Sequence, residues 1–90
     1  MDAAGIERLL QEHRTDEAIS AIEAWQAEGG KMDAQLHYLL GNAWRKKGNW
    51  QKAIQEYNEA VSLDPDSPAA EALILANDIL AFYNTDLYNP

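Results

Sequence analysis

The chain has 90 residues, of which 47% are hydrophobic, and this fits one small domain that buries roughly 60–65% of the surface of its unfolded chain. Fifteen acidic residues against seven basic ones give a net charge of −8. This balance argues against a nucleic-acid partner, because phosphate binding depends on Lys and Arg. The absence of Cys excludes disulfides and thiolate metal sites, so core packing must stabilise the fold.

No stretch of the sequence has the character of a membrane or export segment. The apolar runs are all well short of the roughly 20 residues that span a bilayer. The first four residues, Met1 to Ala4, lack the basic and apolar regions of a secretory signal. We therefore expect a cytoplasmic protein that has no membrane partner.

The first third of the chain, residues 1–33, begins with a short helical pattern and a turn. Ile6, Leu9 and Leu10 recur at three- and four-residue steps, which gives a first helix one apolar face. Residues 12–16 are polar and predict the turn that follows. Thr15 or Asp16 is able to cap the second helix there.

The second helical pattern of this region repeats further along the chain. Ala18, Ile19, Ile22 and Trp25 correspond to Ala53, Ile54, Tyr57 and Ala60 at a constant separation of 35 residues. Gly29 and Gly30 then predict the end of the helix and a loop. Residues 1–33 are therefore interpreted as a degenerate copy of the unit that follows.

Residues 34–67 predict two helices joined by a tight turn. The two apolar faces are formed by Leu36, Leu39, Leu40, Ala43 and Trp44, and then by Ala53, Ile54, Tyr57, Ala60 and Val61. Between them lies a turn with Lys46, Lys47 and Gly48, where Gly48 can adopt a positive φ. Gly41 and Ala53 are small enough for the helices to approach closely, and Pro65 ends the second helix.

This unit resembles a tetratricopeptide repeat over its full length of 34 residues. The resemblance rests on Leu40, Gly41, Trp44, Gly48, Trp50, Ala53, Tyr57, Ala60 and Pro65, which stand where the family keeps those residue types. It implies an all-α fold, a right-handed α-solenoid of antiparallel helix hairpins with about two and a half repeats and five helices.

The fifth helix is predicted within residues 68–84, with Ser67 as its N-cap and Pro68 at its first position. In a repeat array it would be a terminal capping helix, followed here by a tail at residues 85–90. Its apolar residues are too numerous for one buried stripe: Leu73, Ile74, Leu75, Ile79, Leu80, Phe82 and Tyr83. Three alternatives stay open for the surplus: the tail folds back, a second copy pairs with it, or a further domain covers it.

The sequence contains no pattern typical of catalysis. His13 and His37 are the only histidines, and neither has acidic partners at the spacing of a metal site or a catalytic triad. A Gly-rich phosphate loop is also absent. We therefore expect no enzyme activity, no metal and no cofactor, and a packing or surface role for His37.

The resemblance also implies where a partner would bind. In this family the first helices of successive repeats line a groove that holds peptides, which here gives Gln35, Tyr38, Asn42, Arg45 and Lys46. Some members hold the C-terminal carboxylate of chaperones, and Asn42 stands where they place an Asn on the ligand backbone. The flanking helices offer Ala72 and Ala76, or Ala3 and Glu7, in place of the required cations, so chaperone-tail binding is not predicted.

The sequence thus predicts a protein–protein or protein–peptide interaction module, an adaptor or scaffold whose partner is another protein or peptide. The alternative is a structural module that forms a homodimer through its apolar C-terminal helix. The surface for self-association or tail docking would comprise Leu73, Leu80, Phe82, Tyr83, Leu87 and Tyr88.

Overall fold

The computed structural model describes residues 1–83, with side chains as far as Phe82. These residues form five α-helices and no strand: α1 (Ala3–Gln11), α2 (Thr15–Ala27), α3 (Ala34–Lys46), α4 (Trp50–Leu63) and α5 (Ala69–Tyr83). The predicted all-α helical repeat is confirmed. Leu87 and Tyr88, named above for the tail, lie outside the described residues. No helix within residues 1–83 has the length and apolar character needed to cross a membrane.

The helices stack in chain order. Each helix packs against the next one along the chain, and α1 also contacts α3. Because only three residues separate α1 from α2, and α3 from α4, each of these pairs folds back as an antiparallel hairpin. The result is an elongated body of 44 × 27 × 22 Å, in which the first helices of the two hairpins, α1 and α3, are neighbours.

Three of the interhelical turns have the same hydrogen bonds, including the turn between α2 and α3, where the amides of residues 29 and 30 donate to the carbonyls of residues 26 and 25. In the second hairpin, the amides of Gly48 and Asn49 donate to the carbonyls of Arg45 and Trp44, at 2.9 Å each. Gly48 has a φ of 80°, as its place in the turn predicts. The first hairpin repeats both bonds 35 residues earlier, from residues 13 and 14 to residues 10 and 9. The two hairpins therefore share their turn geometry as well as their apolar pattern.

Side-chain caps begin most of the helices. Asp2, Asp33 and Asn49 each accept a hydrogen bond from an amide in the first turn of α1, α3 and α4. Ser67 Oγ accepts a hydrogen bond from the amide of Ala69 at 3.1 Å, so its side chain caps the first turn of α5 as predicted, although the helix begins at Ala69 and not at Pro68.

The predicted cap of α2 is wrong. Thr15 is already the first helical residue, Asp16 follows it, and the N-cap position belongs to Arg14. The Arg14 side chain makes no capping hydrogen bond, because guanidinium is only a donor and the orphan amides of a first turn need an acceptor. It instead pairs with Glu12 at 3.2 Å and Glu17 at 2.5 Å.

The core consists of two apolar clusters. The first joins α1, α2 and α3 through Ile6, Leu10, Ala18, Ile19, Ile22, Leu39, Leu40 and Ala43. The second joins α4 and α5 through one tyrosine and four alanines: Ala53, Tyr57, Ala60, Ala69 and Ala76. Tyr38 and Trp44, both on α3, pack against both clusters.

Close approach of α3 and α4 depends on Gly41. A Cβ atom added to this buried glycine would lie 2.5 Å from Cε1 and 2.6 Å from Cδ1 of Tyr57, distances that real contacts do not reach. Tyr57 is fully buried, and Ala53, one turn earlier on α4, is fully buried too. The expectation that Gly41 is a close-contact point between the helices of this hairpin is therefore confirmed.

Candidate binding groove

Two adjoining depressions open on the side where α1 and α3 are neighbours. The α1/α3 depression, of about 260 Å³, is lined by Glu7, Leu10, Gln11, Tyr38, Leu39, Asn42, Arg45 and Lys46. The α3/loop depression, of about 290 Å³, is lined by Glu7, Ala34, Gln35, Tyr38, Asp64, Ser67 and Pro68. Because Glu7 and Tyr38 line both, we treat the two depressions as one groove.

The five groove residues named from the sequence all line this groove. Asn42, Arg45 and Lys46 lie in the α1/α3 depression, Gln35 lies in the α3/loop depression, and Tyr38 belongs to both. They share one side of α3 because they are spaced three and four residues apart. The structure thus brings together the residues that the resemblance places there, while peptide binding by them stays a prediction.

Other groove residues were not predicted. Asp64, Ser67 and Pro68 come from the loop between α4 and α5, which returns to the N-terminal end of α3. Gln11 comes from the last turn of α1. The repeat pattern carried no signal for the loop residues, whose position beside Gln35 depends on how α4 is stacked. Gln11 lies four residues after Glu7, so helical spacing alone could have indicated it.

The floor of the groove is fixed by a contact between α3 and α4. The Tyr57 hydroxyl donates a hydrogen bond of 2.6 Å to Asn42 Oδ1. The ring centroids of Tyr38 and Tyr57 lie 6.0 Å apart. Burial raises the pKa of the Tyr57 phenol, the Arg45 charge acts in the opposite direction, and Tyr38 adds a smaller increase. The phenol is therefore held in its neutral form, the form that donates to Asn42.

This bond also defines what Asn42 can offer to a ligand. Its carbonyl oxygen is engaged by Tyr57, so the two N–H donors of the amide are the groups suited to a peptide carbonyl. Arg45, Lys46 and Gln35 are exposed. The groove therefore combines one oriented amide and one partly buried tyrosine with exposed charged and polar side chains around them.

His37 does not belong to the groove. Its Nδ1 lies 2.8 Å from Oε1 of Glu56, and both side chains are partly buried where α3 meets α4. This contact fits the packing role expected for His37. Within residues 1–83 no group of three or more His, Asp or Glu side chains is placed to hold a metal ion.

The residues named for self-association are placed unequally. Leu73 packs against the second apolar cluster, and Leu80 is partly buried, whereas Phe82 is 77% exposed. Ile74 and Leu75, which that list omitted, are 63% and 59% exposed. Tyr83 ends α5, and its side chain lies outside the described set.

Comparison with known proteins agrees with the architecture. The family model of the tetratricopeptide repeat matches residues 34–67. The chain is also similar to the solution NMR structure of protein BF1650 of Bacteroides fragilis, with 40% identity and a TM-score of 0.82. That match covers 99% of this chain and 91% of the other. No curated protein matches the sequence.

Repeats of this kind typically bind other proteins or peptides and are typically not catalytic. The matched unit contains both helices of the second hairpin and the loop that leads to α5, as the 34-residue pattern predicts. Because the family model matches residues 34–67 and the chain is similar to a solved structure over its full length, the chain belongs to the tetratricopeptide repeat family.

Proposed function

We propose that this domain is an interaction module, an adaptor or scaffold that binds a short extended segment of another protein in the groove. One observation carries the proposal: the residues expected to contact a ligand line one continuous groove, with Tyr38 at its centre. A partly buried tyrosine beside an oriented amide can hold one side chain and one backbone carbonyl. The small size of the groove favours a segment of only a few residues.

The structure guides the choice of variants. Tyr38 packs against both apolar clusters and Asn42 bonds to Tyr57, so replacing either side chain would alter the fold as well as the groove. Gln35, Arg45 and Lys46 are exposed and can be replaced by Ala together without touching the core. A matched control replaces Arg8, Gln26 and Lys31, which are exposed and line neither depression.

The experiment selects peptides from a display library against the folded domain and maps their binding by amide chemical shifts. We expect shifts at Tyr38, Asn42 and Arg45, and an affinity loss of about tenfold in the groove variant. The control variant should bind like the parent. Selected peptides that bind both variants equally, or that shift only residues off the groove, would refute the proposal.

A second candidate function has one observation in its favour. Ile74 and Leu75 leave most of their apolar surface in water on α5, the outermost helix of the described stack. Exposed apolar patches often mark interfaces between proteins, and a homodimer is the simplest arrangement. In this second reading the domain is a structural module that pairs through α5.

Sedimentation equilibrium separates the two functions. If α5 forms the interface, the parent is a dimer, and Leu75→Glu turns it into a monomer because dimerisation would bury the new charge. Ser20→Glu, which adds the same charge at an exposed position of α2, should leave the dimer intact. A parent chain that stays monomeric at high concentration removes this candidate and leaves the groove proposal unaffected.

A further inference from the structure

The charged side chains of the groove are separated by sign. Arg45 and Lys46 line the α1/α3 depression, whereas Asp64 lines the α3/loop depression and Glu7 lies at the junction of the two. Among the lining residues that the structure describes, the α3/loop depression has two carboxylates and no cation. One end of the groove is therefore positive and the other end is negative.

These charges are not neutralised within the described part of the chain. Several cations elsewhere have partners there: Arg14 with Glu12 and Glu17, Lys47 with Asp16, and Lys52 over the ring of Trp44. In contrast, no ion pair within residues 1–83 involves Glu7, Arg45 or Lys46, even though all three line one depression. Asp64 makes no ion pair within these residues either, and its carboxylate accepts a hydrogen bond of 3.0 Å from the amide of Asp66. The four charges therefore stay available to a ligand.

We propose that the groove recognises a segment that carries both signs, with an acidic side chain at Arg45 and Lys46 and a basic side chain at Glu7 and Asp64. This inference rests on the proposed function, since it names the chemistry of the peptide that the groove takes. The acidic side chain forms charge-assisted hydrogen bonds with the guanidinium or the ammonium group. The basic side chain enters a depression whose only charged groups among the described residues are carboxylates.

The net charge of the protein favours a different peptide from the one that the groove is proposed to bind. At −8, the overall field attracts a peptide with only basic residues and repels a peptide with only acidic ones. A preference for a mixed peptide over an all-basic peptide must therefore arise in the groove. The local contacts have to outweigh the field of the whole molecule.

The test measures fluorescence anisotropy with five short peptides, acetylated and amidated so that only side chains carry charge. They share an apolar centre and differ at two flanking positions, which are Glu and Lys, Lys and Lys, Glu and Glu, or Gln and Gln. The mixed peptide is made in both orders. We expect one order of the mixed peptide to bind about fivefold more tightly than every other peptide, with a difference that shrinks as salt screens it.

Charge-reversal variants then test which end of the groove binds the acidic side chain of the peptide and which end binds the basic one. In the double variant Arg45→Glu with Lys46→Glu, the preferred peptide should change from the mixed one to the all-basic one. In the variant Asp64→Lys, the preferred peptide should change from the mixed peptide toward the all-acidic peptide. The matched control, Arg8→Glu with Lys31→Glu, alters the net charge by the same amount as the first variant and should keep the ranking of the parent. Arg45→Gln with Lys46→Gln, which adds no repulsion, should abolish the advantage of the mixed peptide.

The remaining outcomes separate a failure of this inference from a failure of the proposed function. An all-basic preference in the parent, or a ranking that the groove reversals change no more than the control does, overturns the inference. In either case, peptides from the display selection that still depend on Gln35, Arg45 and Lys46 leave the proposed function standing. If no flanking charge gives measurable binding at about 1 mM and the selection also finds no groove ligand, both proposals fail.

Discussion

His13 adopts the same left-handed backbone conformation as Gly48, its counterpart 35 residues later, with φ angles of 61° and 80°. Both residues follow the last turn of a first helix, and their amides form equivalent hydrogen bonds. The first hairpin therefore keeps the backbone of the turn although it lacks the glycine. For a residue with a Cβ atom this conformation costs roughly 1–2 kcal/mol, less for the few residue types, His among them, that are enriched in it.

Replacing His13 by Gly should stabilise the domain. The His13 side chain is exposed, so the main effect is relief of the left-handed backbone. Part of the gain is lost because glycine has more freedom in the unfolded chain, which leaves about 0.5 kcal/mol. Urea unfolding measures the difference. The reciprocal variant Gly48→His should lower the free energy of unfolding, and stabilities of both variants equal to the parent would contradict the argument.

Replacing Arg14 by Asn should supply the cap that α2 lacks. Asn49, at the equivalent position of α4, accepts a hydrogen bond of 3.1 Å from the amide of Lys52. Such a cap contributes about 1 kcal/mol, whereas the exposed pairs of Arg14 with Glu12 and Glu17 contribute little. We expect a net gain of about 0.5 kcal/mol in thermal unfolding. Asn49→Arg should lose about 1 kcal/mol, and a destabilised Arg14→Asn variant would show that the ion pairs outweigh the cap.

Two helical glycines should respond in opposite ways to the same substitution. Gly5→Ala places its Cβ atom 3.7 Å from the nearest atom of Asp2, an ordinary contact, so it should stabilise α1 by about 0.5–1 kcal/mol. Gly41→Ala drives its Cβ atom into the Tyr57 ring, which is fully buried and cannot retreat. We expect a loss of about 1–3 kcal/mol, and about 2 kcal/mol or more for Gly41→Leu. Equal melting temperatures for the two Ala variants would disprove the close contact.

Stability should fall at alkaline pH through Tyr57. Burial raises the pKa of its phenol in the folded state, so the folded protein holds that proton more tightly than the unfolded chain does. The stabilisation is present below the unfolded pKa of about 10 and is lost as the pH rises through the folded pKa. Urea titrations of the parent and Tyr57→Phe across this range isolate the effect. The variant should be about 1 kcal/mol less stable at neutral pH, because Asn42 loses its hydrogen bond, and should show a shallower alkaline decline.

Tyr38→Phe is the control for that titration. It removes a hydroxyl from the same groove but leaves Tyr57 and its bond to Asn42 in place. It should therefore retain most of the alkaline decline of the parent, because burial raises the pKa of Tyr57 more than Tyr38 does. If the alkaline decline is equally steep in the parent and in both Phe variants, titrating groups other than Tyr57 cause it.

The fold could be predicted from the sequence because its determinants are local and repeated. The apolar steps, the turn at Gly48 and the stop at Pro65 each specify one feature, and the 34-residue unit orders them. The same unit identified Gly41 as a contact point, because it keeps a glycine at this position. All five helices of the described residues were expected on these grounds.

The features that sequence reasoning missed depend on tertiary structure or on competing local choices. Thr15 was a reasonable cap by residue type, but the turn geometry places Arg14 at that position. Asp64 and Pro68 reach the groove only because α4 carries the loop back past α3. No pattern within the loop itself encodes that approach, so a sequence alone gives the helical residues of the groove and not Asp64 at its acidic end.

Tyr38 and Trp44 connect the two apolar clusters, and both belong to α3. Repeat proteins can melt one unit at a time when the coupling between neighbours is weak. Here α3 contributes side chains to both apolar clusters, so neither cluster can unfold without exposing part of the other to water. We expect all-or-none denaturation, with the amides of α3 the slowest to exchange with deuterium, in place of stepwise fraying of one hairpin before the next.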